Sequence, residues 1–171
     1  MDRELLNRAR AGDREAFELI VVAKGEPLFR TALAILGNEA DARDATQEAF
    51  ISSWRSFSRM RDLERFDAWL GRILINECRM TLRRRRRVRE VAVDETADQS
   101  ARNFAPTAPD SSSDFDDAFS RLNVDQRAML VLHHMHGYGV REIGAWLGIP
   151  SGTVKWRLSR ARSALRKEME S

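Results

Sequence analysis

Val140-Arg-Glu-Ile-Gly-Ala-Trp-Leu-Gly-Ile-Pro-Ser-Gly-Thr-Val-Lys-Trp-Arg-Leu-Ser-Arg-Ala-Arg-Ser-Ala-Leu165 reads as two helices with a tight turn between them. Ile143 and Leu147 sit four apart and so share one helix face. Gly148 follows at once, the residue that takes a positive φ just past a helix end. Pro150 blocks continuation of the first helix. The cap of the second helix is either Ser151 or the Gly152-Thr153 step. Within that helix Val154, Leu158, Ala161 and Leu165 make one apolar face, and Lys155, Trp156, Arg157, Ser159, Arg160 and Arg162 make the other. Gly144 is small where two helices have to cross closely. The pattern is that of a helix-turn-helix, in which one helix braces and the second offers its N-terminal half to the major groove.

An ordinary helical hairpin with a solvated basic face has the same periodicity. Two features weigh against it. The turn chemistry is specific, and no carboxylate interrupts the run from Ser151 to Lys167, which suits approach to phosphates.

The charge of the whole chain is organised in the same sense. Its 171 residues are 43% hydrophobic and 32% charged, enough for one medium domain or two small ones. The net charge of +3 divides into +4 over residues 1–87, −6 over 88–117 and +5 over 118–171. Two basic blocks joined by an acidic strip suit two nucleic-acid-facing domains and a tether. Cys78 is the only cysteine, so no internal disulfide forms, which fits a reducing cytoplasm. No apolar run reaches the length of a membrane span, and Met-Asp-Arg-Glu lacks the apolar core of a signal peptide, so no membrane insertion is expected. There is no internal repeat.

The first block reads as a series of helices. Residues 2–10 form a short one, and Asp13 can cap the next, which buries Phe17 and Ile20. Gly25-Glu26-Pro27 is expected to break or kink it, and a third helix to resume with Leu28, Ala32, Ile35 and Leu36. After the Gly37-Asn38 turn comes Asp41-Ala-Arg-Asp-Ala-Thr-Gln-Glu-Ala-Phe-Ile-Ser-Ser-Trp54. Its Ala42, Ala45, Ala49, Phe50 and Trp54 form an apolar side, and Asp41, Asp44, Gln47 and Glu48 an outer face. Asp41 at a helix start equally suits the helix dipole, so a structural role stands beside a binding one. Farther on, Phe66-Asp-Ala-Trp-Leu-Gly-Arg-Ile-Leu-Ile-Asn76 precedes five arginines, 83–87, with Phe66, Trp69 and Ile73 as core.

These segments resemble a known family. The spaced set Asp41, Asp44, Gln47, Glu48, Phe50 and Trp54 is similar to the core-binding helix of bacterial sigma factors, and the compact size is similar to the extracytoplasmic-function (ECF) group. Phe66–Asn76 with the arginine run resembles the promoter-melting helix, and Ile149–Arg162 resembles the second DNA-reading helix. Three motifs in the family's order cover residues 1–87 and 115–168.

The resemblance implies an all-α fold: two small helical domains joined by a flexible acidic linker, the second containing the helix-turn-helix. Residues 1–87 would be sigma region two, 88–117 the linker and 118–171 region four. Asp41, Asp44, Gln47, Glu48 and Trp54 would dock on the clamp helices of the largest subunit of core RNA polymerase, and region four on the flap of the second-largest subunit. Ser58, Arg59, Arg61 and Asp62 would lie in the loop that captures a base flipped from the minus-ten element, an extrusion costing a few kcal/mol. Asn76 would contact a base or the backbone, its bland alternative being a hydrated helix residue; Arg83 and Arg84 would run along phosphates. Thr153, Lys155, Trp156, Arg157, Ser159 and Arg160 would meet the minus-thirty-five element of promoter DNA. Arg160 suits bidentate pairing with guanine, Lys155 guanine or phosphate, and Arg157 a phosphate. Trp156 departs from the small residue usual there, and stacking on sugar, pressing a thymine methyl or burial against an inhibitor are all open to it.

The linker carries Ala-Pro-Thr-Ala-Pro-Asp and Ser111-Ser-Ser and is expected to be extended, either as an RNA-like acidic thread or as a simple tether. Phe104 is a candidate partner contact, and Phe115 either that or the start of the next helix. Asn123 or Asp125 caps a later helix, and Gly137-Tyr-Gly139 turns into Val140. His133, His134 and His136 invite a metal reading, but adjacent histidines point to different faces and no cysteine or acid lies close in sequence. No metal, cofactor or catalytic group is therefore expected, and a hydrolase lacks its constellation. The family also implies an anti-sigma factor as partner. The competing reading is a helix-turn-helix regulator that never loads on core polymerase; it leaves Asp41–Trp54 and Phe66–Asn76 unexplained. Cys78 is either a redox sensor or a buried helix thiol.

Overall fold

The computed structural model describes residues 1–93 and 113–170, and all the regular structure among them is helical. Helix α1 (Arg3–Arg10) begins where Asp2 accepts a hydrogen bond from the Glu4 amide at 3.1 Å. Helix α2 (Arg14–Leu36) begins where Asp13 accepts from the Ala16 amide at 3.0 Å. That bond, with the Arg8 guanidinium, holds the Asp13 carboxyl below its ordinary pKa. Gly37, at φ 66°, closes α2 in the left-handed conformation. Asn38 then caps α3 (Glu39–Phe57) through the Asp41 amide at 2.9 Å.

Of the break or kink expected at Gly25-Glu26-Pro27, the break does not occur: α2 continues through Pro27 as one helix. Proline there removes one backbone bond, but burial of Phe17 and Ile20 before it and of Leu28, Ala32 and Ile35 after it holds a single buried stripe. The Thr31 hydroxyl donates to the Pro27 carbonyl at 2.8 Å, one turn on.

Helix α4 (Phe66–Val93) packs with α2 and α3 to close the first half. Its core is aromatic, with Phe57 and Trp69 stacked at 5.5 Å between centroids. Phe66 is buried, and Trp69 and Ile73 are half-buried against the same core. The second half comprises α5 (Ser113–Arg121), α6 (Val124–Leu130), α7 (Val140–Leu147) and α8 (Ser151–Met169). Asn123, not Asp125, caps α6, in a reciprocal box with Gln126. A π-helical turn, Val131–Met135, extends α6 before the chain turns to α7.

The turn between α7 and α8 is built as expected around Gly148, at φ 69°. Gly144 is needed there because a Cβ on it would stand 2.7 Å from the Ile149 carbonyl oxygen. The cap of α8 differs from both expectations. The helix starts at Ser151 behind an extended Pro150, and no side chain caps it. Its first amides are thus left for another acceptor.

Helix α4 continues to Val93, past residue 88, where the acidic tether is expected to start. At the other end α5 takes in Phe115, which stacks on Phe119 at 5.8 Å and so belongs to the next helix. Residues 94–112, with Phe104 and the prolines, lie outside the described residues.

The two halves pack against each other and share one buried core. Helix α7 packs on α4 as extensively as on its own partner α8. Trp146 of α7 covers Gly71 of α4, where a Cβ would stand 2.2 Å from the indole Cε3. The Arg127 guanidinium crosses from α6 to donate to the Ile35 carbonyl at 3.0 Å. Arg79 pairs with Asp125 at 2.7 Å, and the Thr31 hydroxyl meets His136 Nε2 at 3.1 Å. Since that hydroxyl donates to Pro27, it accepts from the imidazole.

Candidate functional site

Helix α8 has one face committed to packing. Val154, Leu158 and Ala161 are buried, with Leu165 half-buried behind them. That burial turns Lys155, Trp156, Ser159 and Arg160 outward to exposed positions, with Thr153 and Arg157 half-buried at the edge. Its first turn carries no acidic residue, so the positive end of the helix dipole adds to the basic side chains. The Arg160 guanidinium carbon lies 5.0 Å from the centre of the Trp156 ring.

Helix α3 shows a second open face. Ala42, Ala45, Ala49 and Phe50 are buried, which leaves Asp44, Gln47 and Glu48 exposed. Trp54, 38% exposed, backs onto Phe17 at 4.9 Å. Between α2 and α3 opens a groove of about 440 Å³ lined by Glu26, Phe29, Arg43, Thr46, Gln47 and Phe50. Asp41 stands apart from this face. It is half-buried, its Oδ2 is shut off from water, and that oxygen pairs with Arg85 from the arginine run. A structural role for Asp41 is the one the geometry favours.

A third group lies after α3. Ser58, Arg59, Arg61 and Asp62 are exposed on a loop pinned by the buried Met60 side chain. Arg10 donates to the Met60 carbonyl at 3.4 Å. Asp62 is occupied locally, accepting from the Glu64 amide at 3.1 Å and pairing with Arg65 at 3.3 Å. On α4, Asn76, Arg83 and Arg84 are exposed. Asn76 Oδ1 accepts from Arg79, the same arginine that Asp125 holds. These sets therefore occupy separate surfaces, one on α3, one on the loop with α4, and one on α8, rather than one pocket.

Three residues beyond the expected set matter to these surfaces. Arg79 links the α4 face to α6, Arg85 anchors the start of α3, and the side chain of Arg72 lies against Gly148 in the turn before α8. The basic spacing of 72, 79 and 83 along one helix was the available signal for the first and last. Arg85 was hidden in an unbroken arginine run.

Cys78 is fully buried, and burial pushes its thiol up to about 12. A thiol in that state is protonated and shielded, the opposite of a sensor's thiolate. The three histidines do not converge on one point: His133 Nδ1 lies 3.1 Å from the Tyr138 carbonyl, the exposed His134 sets its ring edge-on to that of His133 at 4.8 Å, and His136 meets Thr31. Among the described residues no cluster of three metal-ligating side chains occurs. Among them, too, no helix is long and apolar enough to cross a membrane.

Comparison with known proteins matches both halves. The family profile of Sigma-70 region 2 matches residues 21–88, and that of Sigma-70 region 4 matches 112–165. The ECF RNA polymerase sigma factor SigM of Mycobacterium tuberculosis is 34% identical over 167 residues, spanning 96% of this chain and 82% of the relative. SigW of Bacillus subtilis, also an ECF RNA polymerase sigma factor, is 30% identical over 99% of this chain and 97% of its own length. Among solved structures, the sigma factor RpoE of Bartonella quintana, in complex with the anti-sigma factor NepR, matches with a TM-score of 0.67 at 25% identity, over 90% of this chain and 96% of that one. CnrH in complex with the cytosolic domain of CnrY matches with a TM-score of 0.66 at 26% identity, over 99% and 97%.

Proposed function

The chain belongs to the ECF RNA polymerase sigma factors, and on that premise we propose how its surfaces divide the work of a transcription initiation factor. Residues 1–87 act as region two and 118–171 as region four, with the acidic stretch between them as the linker. The α3 face of Asp44, Gln47, Glu48 and Trp54 docks on the clamp helices of core RNA polymerase; it combines open polar groups with a backed aromatic, the composition of a protein interface. Region four docks on the flap of the second-largest subunit. The α8 face of Thr153, Lys155, Trp156, Arg157, Ser159 and Arg160 reads the minus-thirty-five element.

Ser58, Arg59, Arg61 and Asp62 receive the flipped minus-ten base, while Asn76, Arg83 and Arg84 follow the strand. Melting is driven by the binding of captured bases and phosphates, without nucleotide hydrolysis, so the protein is a specificity subunit and not an enzyme. It works in the cytoplasm, where its polymerase and promoters are. An anti-sigma factor, of the kind that accompanies RpoE of Bartonella quintana, holds it in reserve by covering both the α3 face and the α8 face.

The observation that carries this division is the pairing, in one chain, of an open α3 polar face with an open basic helix-turn-helix face, each on a helix whose other side is buried. A lone helix-turn-helix regulator would need only the second. The test is reconstituted transcription with bacterial core polymerase. Wild type starts specific transcripts, Asp44→Ala/Gln47→Ala fails to bind core, and Arg160→Ala loses only dependence on the upstream element. Specific DNA binding by the protein alone, to which core adds nothing, would overturn the assignment of the α3 face.

A further inference from the structure

Trp156 has no structural reason to be a tryptophan. The buried face of α8 is made by Val154, Leu158 and Ala161, and the indole stands outside it, 58% exposed. A large ring left in water gains nothing for the fold. What it does touch is Arg160, four residues on and therefore on the same face, with the guanidinium 5.0 Å from the ring centre. Among the described residues Arg160 pairs with no carboxylate. Helix α8 has no acid before Glu168, and Glu168 is taken by Arg121 at 3.3 Å.

We propose that Trp156 is a specificity-determining and positioning residue: its indole holds Arg160 for one guanine and itself takes the methyl group of a thymine beside that guanine. The proposal rests on α8 being the major-groove helix. A guanidinium over a ring face keeps its N–H fork in its own plane, free for the O6 and N7 acceptors of guanine. Holding a long side chain in place before binding lowers the ordering cost at the interface. The thymine methyl is the apolar group that base edges present in the major groove. Trp156 lies one turn nearer than Arg160 to the helix N-terminus, the end that approaches base edges. Aromatic and arginine thus act as one composite reader of two neighbouring bases.

The test uses the holoenzyme and a pool of promoter duplexes randomised across the upstream element, sequenced after selection at fixed salt. Wild type selects a guanine with a thymine next to it. Trp156→Ser lowers the guanine preference about two- to fivefold, the worth of an exposed cation–π contact, and Trp156→Phe restores part of it. In a selected site, replacing that thymine by uracil removes only the methyl group and weakens wild type about fourfold, the scale of one buried carbon; Trp156→Ser is indifferent to the replacement. Combined with Arg160→Ala, the Trp156→Ser effect on guanine vanishes, since there is no fork left to hold. An unchanged base profile for Trp156→Ser, or a uniform loss across all sequences, overturns the proposal while leaving the sigma reading intact. If wild-type holoenzyme selects no upstream element at all, the reading of α8 fails as well, and the two failures are told apart by that control.

Discussion

Trp146 lies over Gly71 so closely that three indole atoms, Cε3, Cζ3 and Cδ2, fall 2.2–2.4 Å from where a Cβ on Gly71 would stand. Three ring atoms at nearly one distance mean that the ring presents its face to the α4 backbone. Helix α7 therefore docks on α4 through a position that admits only glycine. Gly71→Ala should unseat the indole and with it the contact between the halves. The internal cores of the halves, built on Phe57 and Leu74 in one and Met129 and Leu132 in the other, are left whole. The expected cost is about 1–3 kcal/mol, the usual penalty of overpacking. Small-angle scattering should show a larger radius of gyration for the free protein, with helix content unchanged. An alanine variant with the wild-type radius and melting temperature would mean that the seat does not hold the halves together.

Arg127 is the polar counterpart of that seat. It is 9% exposed, and burial lowers its pKa; the carbonyls around it offset the cost of burying its charge. It donates to Leu122 O at 2.9 Å, to Ile35 O at 3.0 Å and to Ser120 O. Arg127→Met preserves much of the volume but strips three carbonyls of a donor, two of them in buried contacts. It should cost about 3 kcal/mol in chemical denaturation. Arg127→Lys should recover only part, since a single ammonium does not reproduce a planar fork that spans α5, α6 and α2. Full recovery by lysine would show that charge alone matters there.

The helix-turn-helix was legible because its signals are local: helical period, a glycine at φ 69° and a proline two residues on. The exposed faces of α3 and α8 followed from the same period. What stayed hidden was long-range. Asp41 falls on the outer face by period, yet Arg85, forty-four positions later, draws it inward. Nothing within α3 announces that partner. Gly71 and Trp146 each look unremarkable in their own helix, and only their meeting explains both. Pro27 misled in the opposite direction: its local cost is real, but a continuous buried stripe on either side outweighs it.

Cys78 should behave as a reporter of unfolding rather than of redox state. Its thiol is buried and pushed from an ordinary value of 9.0 to about 12. A thiol-specific reagent at pH 8 should leave the folded protein unlabelled and react at the rate of global opening. The linkage has a definite sign. Below pH 9.0 the thiol is protonated in both states and the contribution is fully present; as pH rises from there toward 12 the unfolded chain loses the proton first, and stability falls. Burial raises Tyr138 in the same direction. Cys78→Ala should therefore flatten, without abolishing, the alkaline loss of melting temperature. Rapid stoichiometric labelling of the folded protein at pH 8 would return Cys78 to the sensor reading.

Asp41 and Gln47 sit on the same helix and should separate cleanly by experiment. Gln47 is exposed and lines the groove between α2 and α3. Asp41 is half-buried and spent on Arg85, tying the start of α3 to the arginine run of α4. Asp41→Asn should thus lower the melting temperature, by a loss of about 1 kcal/mol for a partly exposed pair, while core affinity stays within about twofold of wild type. Gln47→Ala should do the reverse, with unchanged melting and an affinity for core polymerase reduced about tenfold if it is one of the few residues that dominate the interface. Arg85→Gln should copy Asp41→Asn in the melt and add nothing to it in the double variant, because both break one contact. Additive losses, or an Asp41→Asn variant that melts normally but no longer binds core, would place Asp41 on the polymerase-facing side after all.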